Sequence, residues 1–229
     1  MKRILSISLI ILLLSASYSL NAQTKKVAKK TKAPISLDSL IFKRLTNRIE
    51  IGYNNPARYD RSGLLYTTTY FNGIKIGLTT ELPIKNDFSL LAGVLYNLVY
   101  SDKLSNYPNS TQVNSLSYGH FLSVPIMANY NFPVTKDLKF IGFAGPTLNL
   151  GLSQARNSIS TVSTISTSYT DLYKSSVLNR LDLQVGVGAG VQFRKYQLKA
   201  GYDYGLLNVN KLSGNLYQKG WYVSLSINL

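Results

Sequence analysis

Cysteine is absent from the chain, histidine occurs once, and only 10 of 229 residues are acidic. Without cysteine there is no disulfide framework, no cysteine for a lipid anchor and no thiolate for catalysis or metal binding. With His120 alone and few acids, no metal-ligand cluster is expected, and the sequence implies no cofactor. Gly186, Gly188 and Gly190 lie in a strand-like stretch. A phosphate loop needs a strand-to-helix junction, so they are not one. Long apolar runs are also missing. A spanning helix needs about 20 apolar residues, and no segment reaches that length.

The longest apolar stretch lies at the N-terminus. Lys2 and Arg3 precede Ile4 to Leu14, which is interrupted by Ser6 and Ser8, and Leu20-Asn21-Ala22 follows. This is the layout of a secretory signal peptide over residues 1–22, with cleavage expected between Ala22 and Gln23.

The formal net charge is +15, and it is unevenly spread. Lys25, Lys26, Lys29, Lys30 and Lys32 cluster just after the expected cleavage site. Residues 23–47 read as a basic tail or linker, solvated and self-repelling. An alternative is a tether to an acidic periplasmic partner or to lipid headgroups. Export makes nucleic acid an implausible partner.

From residue 48 onward the chain alternates apolar and polar residues with period two, which marks strands with two unlike faces. At the C-terminus Trp221, Val223, Leu225, Ile227 and Leu229 share one face; Tyr222, Ser224, Ser226 and Asn228 share the other. Residues 181–193 repeat the pattern. Six further segments, 48–55, 72–82, 88–100, 119–132, 138–150 and 196–206, fit the same template. The alternation is weakest in 88–100, where Leu91, Leu95 and Val99 occupy the second face. Eight strands of about 9–13 residues match the length needed to cross a bilayer when tilted. In hydrocarbon a sheet satisfies its backbone only by closing. The expected fold is therefore all-β: an eight-stranded antiparallel up-and-down transmembrane β-barrel over residues 48–229.

Spacing between the segments supports this. Pro83 to Asp87, Pro133 to Asp137 and Arg194-Lys195 are short and turn-like. Residues 56–70, 101–118, 151–178 and 207–219 are long and polar, and the run 157–170 reads as an external loop or a hairpin tip. Short periplasmic turns alternating with long external loops is the outer-membrane pattern. Aromatic residues such as Tyr53, Phe88, Tyr100, Phe132, Tyr196 and Trp221 stand near predicted strand ends, as interfacial girdles do.

His120-Phe-Leu-Ser-Val-Pro-Ile-Met-Ala-Asn-Tyr130 resembles a motif of PorT-like outer-membrane β-barrel domains, common in Bacteroidota. Phe140-Ile-Gly-Phe-Ala-Gly-Pro, Asn179-Arg-Leu-Asp-Leu with Gly186-Val-Gly-Ala-Gly, and Tyr202-Asp-Tyr-Gly-Leu-Leu-Asn follow in the family's order. The resemblance covers roughly residues 48–229. It implies an outer-membrane barrel with periplasmic N- and C-termini, embedded in outer-membrane lipid and delivered by the insertion machinery. A member of that family is linked to protein secretion, so an envelope protein partner is expected. Such barrels commonly end in an aromatic residue, whereas this chain ends in Leu229.

With the apolar face outward, the inward set includes Glu50, Lys75, Glu81, Lys139, Asp182, Lys199 and Asp203. Opposite charges in a narrow lumen are expected to pair, since unpaired ones are costly. A salt-bridged plug is the first expectation, and a narrow ion path along these charges is the second. Lipid-modifying enzymes exist on small barrels, but Ser123 lies three residues from His120 and points to the opposite face of a regular strand. The residues therefore favour a non-enzymatic structural or interaction barrel. The competing readings are a lipid-modifying enzyme and a soluble exported barrel with an apolar pocket.

Overall fold

The computed structural model describes residues 45–60, 68–85, 87–106, 112–162, 164–211 and 215–229. The expected signal peptide and nearly all of the basic tail lie outside these residues. Among the described residues there is no helix. Ten strands run β1 (Thr46–Asp60), β2 (Thr69–Tyr70), β3 (Asn72–Lys85), β4 (Phe88–Asn106), β5 (Gln112–Pro133), β6 (Leu138–Val162), β7 (Thr164–Asp171), β8 (Leu181–Phe193), β9 (Tyr196–Gly205) and β10 (Leu216–Asn228).

Eight of them form a closed antiparallel barrel, in the order β10-β9-β8-β6-β5-β4-β3-β1 with β1 pairing back onto β10. Closure runs along β1 from Arg48 opposite Asn228 to Asp60 opposite Leu216. No barrel strand is left with an open edge at mid-height, which is what a lipid environment demands. β2 and β7 are additions, paired to β1 and β6 respectively.

The ranges expected to be long loops are in large part strand. β4 continues past Tyr100, where β3 begins opposite it at Asn72. β6 continues past Leu150, where β8 begins opposite it at Leu181, and pairs with β7 instead. β4, β5, β6 and β7 thus form a sheet that stands beyond the barrel rim at one end. Outside hydrocarbon a strand needs no apolar outer face, so the alternation that reveals the barrel segments is not required there. The run 157–170 is a β6–β7 hairpin. The other end carries the short connections at 86–87, 134–137 and 194–195 together with Arg48 and Asn228. We call these the loop end and the turn end.

Alternation sets the two faces. Ile49, Ile51, Ile74, Ile76, Val94, Val187, Leu198 and Leu225 are exposed on the outside, while Glu50, Lys75, Thr79, Gln197, Ser224 and Ser226 are buried. An apolar exterior around a polar interior is stable only where the solvent is lipid. Val187, at mid-height on β8 and 61% exposed, tests this. Val187→Arg is expected to cost about 2–4 kcal/mol in reversible unfolding from lipid vesicles, the usual penalty for a cation at the midplane. No loss of stability would mean that this face does not meet lipid.

The wall has one weak stretch. Ladder pairs are missing between Ala92–Ile126 and Leu95–Ser123, and again between Pro125–Thr147 and Ala128–Ala144. Pro125 and Pro146 have no N–H to donate across the ladder, so each leaves a facing carbonyl without its ladder partner.

Candidate functional site

The lumen is built from the inward positions of all eight barrel strands. At mid-height Glu50 on β1 receives two lysines. Lys199 Nζ on β9 lies 2.6 Å from Glu50 Oε2, and Lys75 Nζ on β3 lies 3.3 Å from Glu50 Oε1. Ser226 Oγ donates to Glu50 Oε2 at 3.4 Å. Lys75 Nζ also stands 3.5 Å from the centre of the Tyr222 ring. The register explains the meeting: Glu50 sits opposite Gly77 on one side and Ser226 on the other, so both lysines reach inward past small neighbours.

A second group lies toward the turn end. Arg48 Nη1 pairs with Glu81 Oε2 at 2.6 Å, and Arg48 Nε donates to Asn228 Oδ1 at 2.7 Å. Ser89 Oγ donates to Glu81 as well. These residues, with Asp87, Asn131, Lys139 and Gln192, line a vestibule of about 300 Å³. Lys139 is half-buried there and forms no ion pair among the described residues.

Side chains pack together at the loop end. Leu172, Tyr173 and Leu178, from the segment after β7, bury themselves against Phe71, Val99 and Phe121. Leu172 N–H donates to Gln154 O at 2.9 Å, and Asn179 N–H to Val209 O at 2.8 Å, which ties this cap to both flanking segments. Arg58 lies beneath it, with Nη2 donating to Gln154 Oε1 at 2.7 Å and its guanidinium 5.2 Å from the Phe71 ring centre. Asp182 accepts from Gln184 Nε2 at 2.6 Å.

The cap begins in an Asp-led turn. Asp171 Oδ1 accepts the backbone N–H groups of Tyr173 and Lys174 at 3.1 Å each. The bond from Lys174, reinforced by that from Tyr173 and by the Lys174 charge, holds this carboxyl below the usual carboxylate range. A depressed folded-state value stabilises the turn above the unfolded value and loses that contribution as pH falls through the folded one. Amide protection in residues 172–178, measured relative to the intrinsic exchange rate at each pH, is therefore expected to fall on acidification, and Asp171→Asn should flatten that dependence.

The seven inward charges do not form a single network. Glu50, Lys75 and Lys199 converge; Glu81 pairs with Arg48, and Lys139 stands beside that pair. Asp182 and Asp203 make no ion pair among the described residues, and each keeps one oxygen, Oδ1, without a hydrogen-bond donor. Arg48, Arg58 and Tyr222 complete these groups but did not stand out in the sequence. Arg48 and Tyr222 do alternate in phase with their strands. Arg58 lay in a presumed loop. Side chains lie against the glycine row, the Phe143 ring on Gly188 and Asp203 on Gly186.

Outside the lumen, His120 shares a hydrogen bond through Nδ1 with the Tyr96 hydroxyl. Ser123 points inward, where Asn97 Nδ2 donates to it at 2.8 Å.

Residues 21–211 match the model of a family described as outer membrane protein beta-barrel domain. The chain belongs to this outer-membrane β-barrel family. Among solved structures this barrel is similar to Neisserial surface protein A, with 16% identity, a TM-score of 0.44, and coverage of 80% of this chain and 97% of that one. It is similar to Ail of Yersinia pestis in complex with the heparin analogue sucrose octasulfate, with 13% identity, a TM-score of 0.36, and coverage of 81% and 99%. A third similar structure is the outer membrane enzyme PagL, with 11% identity, a TM-score of 0.43, and coverage of 79% and 99%. No curated protein matches the sequence.

Proposed function

We propose that this outer-membrane barrel is a non-enzymatic interaction protein of the cell envelope, a PorT-like member that presents its loop-end sheet to a protein partner. In this reading residues 1–22 direct export and are removed, and residues 23–47 form a basic periplasmic tail. Residues 48–229 are inserted by the outer-membrane machinery with both termini in the periplasm. Support comes chiefly from the β4–β7 sheet, which extends past the rim while the lumen beneath it is capped and braced. A polypeptide that extends four strands away from the bilayer has its largest accessible surface there. The placement of His120 agrees: its Nδ1 is engaged by Tyr96, and Ser123 lies on the other face of the strand.

Orientation and role can be tested together in cells that carry a tag in the β6–β7 hairpin. Heat-modifiable mobility in the outer-membrane fraction, with the tag labelled on intact cells, is the expected result. A tag reachable only after the outer membrane is opened would reverse the orientation. Lipid A and phospholipid profiles are expected to be identical with the wild-type chain and with His120→Ala. A lipid change that requires His120 would replace this reading with an enzymatic one.

A further inference from the structure

Closure of the barrel removes its edges, but the sheet beyond the rim has two. Among the described residues, β4 past Tyr100 has no partner on its β3 side, and β7 pairs only with β6. The two edges differ in composition. The outer part of β4 carries Asp102 and Lys103, charges of the kind that blunt an edge against a further strand. β7 is eight residues long and reads Thr-Ile-Ser-Thr-Ser-Tyr-Thr-Asp. Its register with β6 runs without a shift. Proline, lysine and a bulge, three usual protections of an edge, are all missing from it. Its one charge, Asp171, lies at the rim end, where the carboxyl accepts the backbone N–H groups of its own turn.

The ladder shows which backbone groups face that edge. Asp171 stands opposite Ala155, and Leu172 N–H donates to Gln154 O. In an antiparallel ladder this makes Asp171–Ala155 a pair without mutual hydrogen bonds. Alternation then gives Ser166, Ser168 and Thr170 to β6, while Ile165, Thr167 and Tyr169 each direct an N–H and a C=O away from it.

We propose that the β7 edge is a docking site for an extended segment of a partner protein, added as an antiparallel strand on Ile165, Thr167 and Tyr169. The inference deepens the proposed interaction role and rests on it for the side of the membrane on which the partner lies. An edge of unprotected main-chain groups recognises another main chain. Antiparallel pairing is the more stable arrangement, so the added strand runs outward from the rim, as β6 does. A second copy of this chain does not fit: copies in one membrane point the same way, so their β7 strands run parallel.

The probe is a synthetic peptide of the β6 sequence Ala155–Val162, which pairs with β7 inside the chain. It is added to the folded barrel in lipid nanodiscs, and amide exchange is read by NMR relative to the intrinsic rates. Protection of Ile165, Thr167 and Tyr169 should rise along a saturable curve, about tenfold when the peptide is at about ten times its Kd. Ser166, Ser168 and Thr170 should not change. The same peptide N-methylated at alternate residues should give no protection. Thr167→Pro removes an N–H that β6 does not use, a position where an edge strand tolerates proline, and should abolish the effect at Ile165 and Tyr169. If the β6–β7 hairpin is lost in that variant, Thr167→Lys repeats the test with an edge charge. No saturable protection, protection by the N-methylated peptide, or loss of protection at Ser166 and Ser168 through displacement of β6 would overturn the proposal. Labelling of the hairpin tag on intact cells reports separately on the interaction role. A tag out of reach with the amides protected overturns the orientation alone, and a reachable tag with unprotected amides overturns the edge site alone.

Discussion

Replacing Glu50 with glutamine is expected to cost the folded barrel about 3–5 kcal/mol, the range for breaking a buried pair from one side. Among the described residues, Glu50 is the only carboxylate paired with Lys75 and Lys199, whose side chains are each 8% exposed. The amide keeps the shape and removes the charge, so two ammonium groups remain buried with no counter-ion within contact distance. The proper measurement is reversible urea unfolding in lipid vesicles, followed by the heat-modifiable band. A companion variant separates the pair's net worth from the cost of orphaning it. Glu50→Leu combined with Lys75→Met and Lys199→Met removes all three charges and should recover most of the loss, because well-packed apolar replacements of buried ion pairs are often neutral. If Glu50→Gln alone costs under about 1 kcal/mol, the value typical of an exposed ion pair, the lysines are solvated and the triad does not hold the barrel together.

Tyr222→Ala should rank next, at about 3–5 kcal/mol for deletion of a buried aromatic ring. The Tyr222 ring reaches across the lumen to Phe143, with centroids 6.5 Å apart, although β10 and β6 are not neighbours. It fits because β9 offers Gly201 beneath it. A Cβ there would lie 2.7 Å from Tyr222 Cζ and 2.7 Å from its hydroxyl oxygen. Gly201→Ala alone should therefore cost about 1–3 kcal/mol by overpacking. The double variant should cost less than the two added together, since the new methyl then enters the space the ring has left. Coupling of about 0.5–3 kcal/mol is the mark of such contact. Strict additivity would show that Gly201 is not shaped by the ring.

Segments that cross the bilayer are legible in the sequence because lipid outside and polar groups inside impose opposite demands on successive residues. Residues 181–193 were bounded correctly on alternation alone. Legibility ends where that contrast ends. Thr164–Asp171 lacks the apolar–polar alternation of the barrel strands and reads as a loop, while its backbone pairs with β6. The opposite failure occurs inside the barrel. Leu91, Leu95, Met127 and Phe143 are apolar on the inward face of strands that are apolar outside, and period two cannot separate the two sets. The candidate site was legible as a set of inward charges and not as a geometry. That Glu50 meets Lys75 and Lys199, while Asp203 keeps a free oxygen, depends on inter-strand register. Register is fixed by closure, by the short turns and by the bulge between His120 and Phe121, none of which a single strand's pattern records.

The cap over the loop end has a consequence for exchange between compartments. Leu172, Tyr173 and Leu178 place hydrocarbon at one mouth, while the vestibule at the other mouth is lined by Arg48, Glu81 and Lys139. Among the described residues, an ion or water molecule approaching the lumen therefore meets apolar packing at the loop end and polar, charged groups at the turn end, where its desolvation costs less.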